Sequence, residues 1–400
     1  MNVFKLPRRL CKEISALLGN FWWGKNKDRK GIHWKSWDCL AGAKNSGGLG
    51  FRNLEDFNVA LLGKHVWRFL NDPTSLVAQV YNSKYHRNSC ILDAKVGNAP
   101  SFIWRSVWAA KEVTKEGLIW QVGNGRSIKI WKHRWLPKPS SYCVKSLVSS
   151  LGIEARVSDL IIPELKVWNE KLIRDHFGVE EAELICSMPI SKREGEDKRI
   201  WIHCTDGKFN VKSAYHMARD IRRREEGEVL GGGKEADRWR KLWSLNILGA
   251  TKNFVWRACT NSLPSKALLL KKSVGVTDKC PICKTENETI LHALWQCTAV
   301  NDVWACKGSG VLKWSAMAED FRDLWDRLCL KLNSSLLEEV IVILRGIWHR
   351  RNKFVFENIF SGPAQVIEGA IQSLDGFREA LRNNETNSKG GSPVSTIKQW

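Results

Sequence analysis

The stretch CPICKTENETILHALWQC, residues 280–297, places three cysteines and one histidine in the pattern Cys-x2-Cys-x8-His-x4-Cys. Few arrangements constrain a fold more, because all four side chains must converge on one point if they bind one ion. Cys280 and Cys283 flank Pro281 and Ile282, a spacing that lets a tight turn aim both sulfurs the same way. His292 and Cys297 follow the segment Thr289 to Trp295, whose pattern reads as a short helix. Three thiolates and an imidazole suit tetrahedral Zn2+, and a shell filled by protein leaves no position for a reactive water, so the ion would be structural. Two alternatives stand beside it. The four residues can be buried thiols and a core histidine that meet by coincidence, or Cys280 and Cys283 can form a redox pair. A redox pair, however, lacks here the preceding strand of a thioredoxin-like unit.

The other nine cysteines (Cys11, Cys39, Cys90, Cys143, Cys186, Cys204, Cys259, Cys306 and Cys329) are scattered. In a chain of 400 residues, long enough for about two or three domains with their own cores, that pattern predicts reduced thiols in the nucleus or cytoplasm. The start MNVFKLPRRLCKEI has no apolar signal region, so secretion is not expected. No apolar run reaches the roughly 20 residues of a membrane-spanning helix, so no membrane partner is expected.

A net charge of +21 predicts attraction to polyanions. Residues 1–140 carry 24 Lys and Arg against 9 Asp and Glu, a net +15, so the basic surface is mainly N-terminal. There Lys25, Lys27, Arg29, Lys30 and Lys35 lie beside Trp22, Trp23, Trp34 and Trp37. Cations for phosphates next to rings for bases are what single-stranded nucleic acid binding uses. The candidate nucleic-acid residues are Lys25, Lys27, Arg29, Lys30, Trp34 and Lys35. Most of the 21 tryptophans are expected in the core instead. The run RDIRRREE reads as a solvated face, and Asn45-Ser46-Gly47-Gly48 as a turn and not a phosphate cradle, since neither Gly-rich nucleotide motif is complete.

Along the chain, residues 1–140 form a basic, Trp-rich region. A helix is expected around PRRLCKEISALLGNFWWG, and another in EDFNVALLGKHVWRFL with Phe57, Ala60, Leu61, His65 and Phe69 on one face. Asn124-Gly125 predicts a hairpin between two alternating apolar runs. Residues 141–230 form a connection region in which Asp206-Gly207 predicts a second hairpin and Ser213 caps the helix that follows. A linker at 231–236 leads to the zinc-binding module at 237–306, with two helices split at Pro264. A helical region at 307–384 opens with a Ser335–Glu338 capping box, and 385–400 reads as a disordered tail. The expected fold is mainly α with short β-hairpins (α+β), a helical zinc-binding module and a disordered C-terminal tail.

Catalytic motifs are absent: there is no Asp-Asp pair, no G-x-S-x-G and no H-E-x-x-H, and His203 and Cys204 would point to opposite faces of a strand. A resemblance emerges from FWWG, IHWKSWDCL, GGLGFRNLEDFNVALLGKHVWRFL, SFIWRSVW, WQVGNGRSIKIW, RWLP, DGKFNVKSAYHMA, LWSLNI, FVWRACTNSLPS, CPICKTENETILHALWQC, VWACK and IWHRRNKFVFEN. In this order they resemble the C-terminal part of plant LINE-type (non-LTR) retrotransposon reverse transcriptases, including the reverse-transcriptase zinc-binding domain. The resemblance implies that Cys280, Cys283, His292 and Cys297 are its zinc ligands, and that the tryptophans occupy its fixed aromatic positions. One departure is His133, which stands in WKHRWLP where relatives usually carry an acid. The family's polymerase carboxylates sit in a Tyr-x-Asp-Asp motif that this chain lacks, and the acidic residues of a following ribonuclease H domain are missing too. The expectation is a non-catalytic, retrotransposon-derived protein with structural Zn2+ that binds RNA or DNA and no small-molecule substrate; its protein partners are unknown from sequence. The alternatives are an accessory part of an RNA-directed DNA polymerase and ribonuclease H, a protein-interaction module, or an unselected remnant.

Overall fold

Several helices start where a capping side chain precedes apolar residues spaced three and four apart. The computed structural model describes residues 1–24, 31–87, 89–137, 141–148, 150–190, 195–227, 233–306 and 318–388. In chain order its elements begin with α1 (Arg8–Trp22), α2 (Trp37–Ala41), α3 (Leu54–Asn71), α4 (Leu76–Tyr85), α5 (Phe102–Ala109), α6 (Lys111–Gly117) and β1 (Leu118–Gln121). Then come β2 (Ile161–Ile162), β3 (Val167–Trp168), α7 (Glu170–His176), α8 (Val179–Ser187), β4 (Lys198–Trp201) and α9 (Val211–Glu225). The rest is helical: α10 (Gly233–Ser244), α11 (Gly249–Cys259), α12 (Lys266–Lys271), α13 (Asn301–Ala305), α14 (Phe321–Lys331), α15 (Ser334–Glu357) and α16 (Pro363–Ser388). The fold is thus mainly α with short antiparallel strand pairs, as expected. No helix among the described residues is long and apolar enough to cross a membrane.

The chain divides into two compact units, one of residues 1–16 and 52–229, the other of 17–51 and 230–400. Residues 1–140 therefore contribute to both.

In the first unit, the Asn53 side chain accepts the Glu55 and Asp56 N–H groups and starts α3. This helix buries Ala60, Leu62, Val66, Phe69 and Leu70, while Leu61 and His65 are half-buried, so the core face is rotated from the expected one. Inward-facing polar residues shift it: buried Asp56 pairs with Arg222 of α9 through two bonds of 3.0 and 3.1 Å. Arg222, read from sequence as part of a solvated run, therefore faces inward. α9 is capped by Asn210, which accepts the Ser213 N–H; Ser213, the expected cap, instead accepts the Trp201 indole N–H at 2.8 Å.

The strand pairing also differs from expectation. β1 pairs with β4 in the register Leu118↔Trp201 to Gln121↔Lys198, a connection across some eighty residues. Asn124-Gly125 does turn, with Gly125 at φ +72°, but no strand returns beside β1 from it. Instead the Asp197 carboxylate accepts the N–H groups of Gly123, Gly125 and Ser127 at 2.7–2.9 Å, which ties the turn to the start of β4. Asp206-Gly207 is likewise a turn, with Gly207 returning its carbonyl to the Trp201 N–H at 2.7 Å. The local hairpin is β2–β3, with Ile161 opposite Trp168.

The second unit has one continuous core. Trp239, Trp256, Trp295, Trp304 and Trp325 are each at most 1% exposed in it, with Leu40 from the N-terminal part of the chain. Ten of the 21 tryptophans are buried among the described residues, which explains much of the excess by packing. α14 shows the pattern plainly: Phe321, Leu324, Trp325 and Leu328 line one face behind an Asp320 cap. For α15 the cap is Asn333, which accepts the Leu336 N–H, and not the expected Ser335–Glu338 box. Glu338 is turned inward to accept the Asn246 N–H at 2.7 Å and to pair with Arg378. The expected linker gives way to the first turn of α10 at Gly233, and α16 continues to Ser388; residues 389–400 lie outside the described ones. The 45–48 turn is a packing device: Gly47, at φ +82°, gives its carbonyl to the Trp256 indole N–H at 2.8 Å, and a Cβ on Gly48 would lie 2.0 Å from the Gly42 oxygen.

Candidate metal centre

Cys280 ends a short extended segment in which Lys279 bridges to Asn287. The chain reverses at Lys284, whose positive φ of 62° lets its N–H reach the Cys280 carbonyl at 3.0 Å. Cys280 N–H in turn donates to the Glu286 carbonyl at 2.8 Å, so the Cys-x2-Cys turn is closed by backbone bonds alone. The Thr289 hydroxyl accepts the His292 N–H at 3.0 Å and starts the helical segment.

That segment is not an ordinary α-helix. His292–Gln296 forms a π turn, and the Cys297 N–H donates to the His292 carbonyl at 2.9 Å, five residues back. Five positions on a regular α-helix lie about 140° apart around the axis. The wider turn brings position 297 back above position 292, so both side chains face one point.

The result is a single cluster: one ligand atom from each of Cys280, Cys283, His292 and Cys297, all within 4.8 Å of one another. Cys280 Sγ and Cys297 Sγ are 4.0 Å apart, and Cys283 Sγ lies 3.4 Å from His292 Nε2. Zinc bonds of roughly 2.3 Å to sulfur and 2.0–2.1 Å to nitrogen imply tetrahedron edges of roughly 3.5–3.8 Å. The donor set and its spacing therefore fit a Zn2+ ion. Cys280, Cys297 and His292 are buried and Cys283 is half-buried.

Electrostatics favour anionic sulfur at the turn. The Cys297 thiol donating to Cys280, with help from His292 and the Ile282 and Cys283 N–H groups, pulls the Cys280 thiol well below its usual range. Burial pushes Cys283 up, but the Thr285 hydroxyl, 3.4 Å from its sulfur, and nearby N–H groups bring it down on balance. Hydrogen bonding to the Cys280 and Cys283 sulfurs raises His292. Away from the cluster, burial pushes the Cys329 thiol up to about 12.

Around the cluster lies an arrangement not anticipated from sequence. Glu288, fully buried, takes a bidentate pair from Arg351 of α15 at 2.8 and 2.6 Å and also accepts the Lys266 N–H at the start of α12 at 2.7 Å. Arg350 makes a second bidentate pair with Asp302 at 2.9 and 2.7 Å. One signal was available: Arg350 and Arg351 are adjacent, so on an amphipathic helix at least one is directed towards the core, where a guanidinium group needs a partner.

Of the candidate nucleic-acid residues, Lys25, Lys27, Arg29 and Lys30 lie outside the described ones. Trp34 and Lys35 are half-buried, and the Lys35 carbonyl accepts the Trp23 indole N–H at 3.1 Å. Trp23, Trp37, Leu49 and Phe51 pack against the same core as the metal cluster.

A Cys3His cluster on a closed turn and a short helix, seated on a tryptophan-rich helical core, defines the class: a helical protein with a zinc-binding module. Residues 209–304 match the family model for the zinc-binding domain in reverse transcriptase. The chain is 36% identical over 137 residues to an uncharacterized mitochondrial protein of Arabidopsis thaliana, covering 34% of this chain and 89% of that protein. It is 25% identical over 314 residues to a putative ribonuclease H protein of Arabidopsis thaliana, covering 76% of this chain and 48% of that protein, so it spans about half the length of this second relative. The chain belongs to the plant LINE-type retrotransposon reverse-transcriptase family and carries that family's zinc-binding domain.

Proposed function

We propose that this chain is a nucleic-acid-binding protein in which Zn2+, held by Cys280, Cys283, His292 and Cys297, fixes the fold and takes no part in chemistry. Three thiolates and one imidazole complete a tetrahedral shell, which suits a structural ion. The binding surface is the basic N-terminal region, with Lys25, Lys27, Arg29, Lys30, Trp34 and Lys35 as its contacts to RNA or DNA. One observation carries this proposal: a net charge of +15 concentrated in residues 1–140. Its support from the fold is that Trp34 and Lys35 fall in the same compact unit as the zinc ligands. Folding of the zinc module then organises the segments on either side of the basic stretch.

Binding of a single-stranded oligonucleotide should weaken linearly in log–log terms with salt, by a slope of about −0.7 per phosphate contacted. Charge reversal at Lys25, Lys27, Arg29 and Lys30 should flatten that slope; affinity indifferent to both would sink the proposal. A second role is favoured by the long alignment with a putative ribonuclease H protein: the chain serves as the nucleic-acid-holding part of a larger polymerase or nuclease. Purified protein given primer, template and Mg2+ is expected to extend nothing, and template-directed synthesis would replace the binding role with a catalytic one.

A further inference from the structure

Far from the metal ligands in sequence, α15 and α16 enclose a cleft of about 300 Å3. That is the lower end of ligand pockets, roughly 300–1,000 Å3, and enough for a small polar group. One wall carries Arg345, His349 and Lys353, at positions i, i+4 and i+8 of α15, so three basic side chains stand in a row about 6 Å apart. The opposite wall presents Gln365, Gly369 and Ser373 at the same spacing on α16. No carboxylate lines the cleft, and among the described residues neither Arg345 nor Lys353 has an ion-pair partner. Arg345 makes one bond, to the Thr251 hydroxyl at 3.0 Å.

Arg345 and Lys353 stand two turns apart on one face with no carboxylate in the cleft, an arrangement of like charges that does not stabilise a helix. The helix dipole favours cations only in the last turn, and Arg345 and His349 lie further back. Partial burial, then the cations of Arg345 and Lys353, push the His349 pKa below its usual value, as expected for a site of uncompensated positive potential. Arg345 is half-buried while His349 and Lys353 are exposed, so the row is open to a ligand and stands across the cleft from neutral side chains.

We propose that the cleft between α15 and α16 binds a phosphate group, with Arg345 and Lys353 as its charged contacts and His349, Gln365 and Ser373 as hydrogen-bonding partners. The phosphate comes from a nucleic-acid backbone or from a free phosphate compound, and the test separates these sources. It does not depend on the N-terminal basic segment.

The zinc-loaded full chain is titrated calorimetrically with inorganic phosphate. Arg345→Gln/Lys353→Gln should weaken binding at least tenfold while zinc content and melting temperature hold. Gly369→Leu provides a second variant that keeps every basic group: a Cβ there meets nothing within 4 Å, so the new side chain enters open space beside the cleft and should obstruct it. Charge reversal at Lys208, exposed and remote from the cleft in sequence, should leave phosphate binding unchanged. An oligonucleotide titration then identifies the source. A salt slope reduced by about 1 per lost contact in the double variant assigns the phosphate to nucleic acid, and an unchanged slope assigns it to a free compound. Absence of phosphate binding by the wild type, or equal binding by wild type and both cleft variants, overturns the proposal.

Discussion

Two irregular segments, one in each unit, are organised around a carboxylate, and they use it differently. In the first, Asp197 stands half-buried and gathers three backbone N–H groups of the 123–127 turn. In the second, Glu288 is fully buried, holds Arg351 in a bidentate pair and caps the entry to α12, within the loop that carries the metal ligands. The Asp197 turn needs no countercharge, because peptide dipoles satisfy a carboxylate that still meets water. Glu288 is out of reach of water, so it requires a full opposite charge and brings the C-terminal third of a 24-residue helix to the loop. Both contacts join segments distant in sequence; the difference is that the buried one needs an opposite charge, whereas the half-buried one is satisfied by peptide N–H groups and water.

The largest expected effect separates the segments by metal. Wild-type protein should contain about one zinc per chain. Chelation, or Cys280→Ser, should release it and strip hydrogen-exchange protection from 239–304 far more than from 118–201. Structural zinc sites contribute on the order of 10–16 kcal/mol of apparent binding free energy in small modules. An unaltered exchange pattern in metal-free protein would refute the site.

Next in size is Glu288→Gln, which leaves Arg351 charged and buried and should cost about 3–5 kcal/mol. Denaturant unfolding of this variant beside Arg351→Met and the double variant would measure the coupling. If the double variant is no more stable than Glu288→Gln alone, the pair is not the organising contact.

The smallest effect belongs to Asp197→Ala, expected at about 1–3 kcal/mol because water can reach part of what is lost. Zinc content should stay at wild-type level. A cost equal to that of Glu288→Gln would erase the contrast between the two carboxylates.

The four ligand candidates were legible in the sequence because their chemistry is rare and their spacing short, so local geometry alone brings Cys280 and Cys283 together. The helices were legible for a similar reason, since apolar periodicity over fifteen or more residues, as in α3 and α15, is a strong signal. Strand partners were not. Asn124-Gly125 prefers a turn whatever follows it, and nothing local reveals that Asp197 will take its N–H groups. The caps were misplaced by similar competition. Ser213 and Asn210 are both good caps, and the choice fell to Asn210 because the Trp201 indole occupies the serine hydroxyl. Glu338, which reads as half of a capping box, serves Asn246 and Arg378, both distant in sequence.

The π turn at His292–Gln296 has a consequence for length variation. Loss of one codon between His292 and Cys297 would leave the two residues four apart, a spacing that an ordinary α turn already places about 40° from alignment. Gain of one codon would instead leave them about 120° apart on an ordinary α turn, still far from alignment. Descendants of this sequence can therefore shorten the segment and keep a pair of ligands facing one ion, whereas lengthening it turns one of them away.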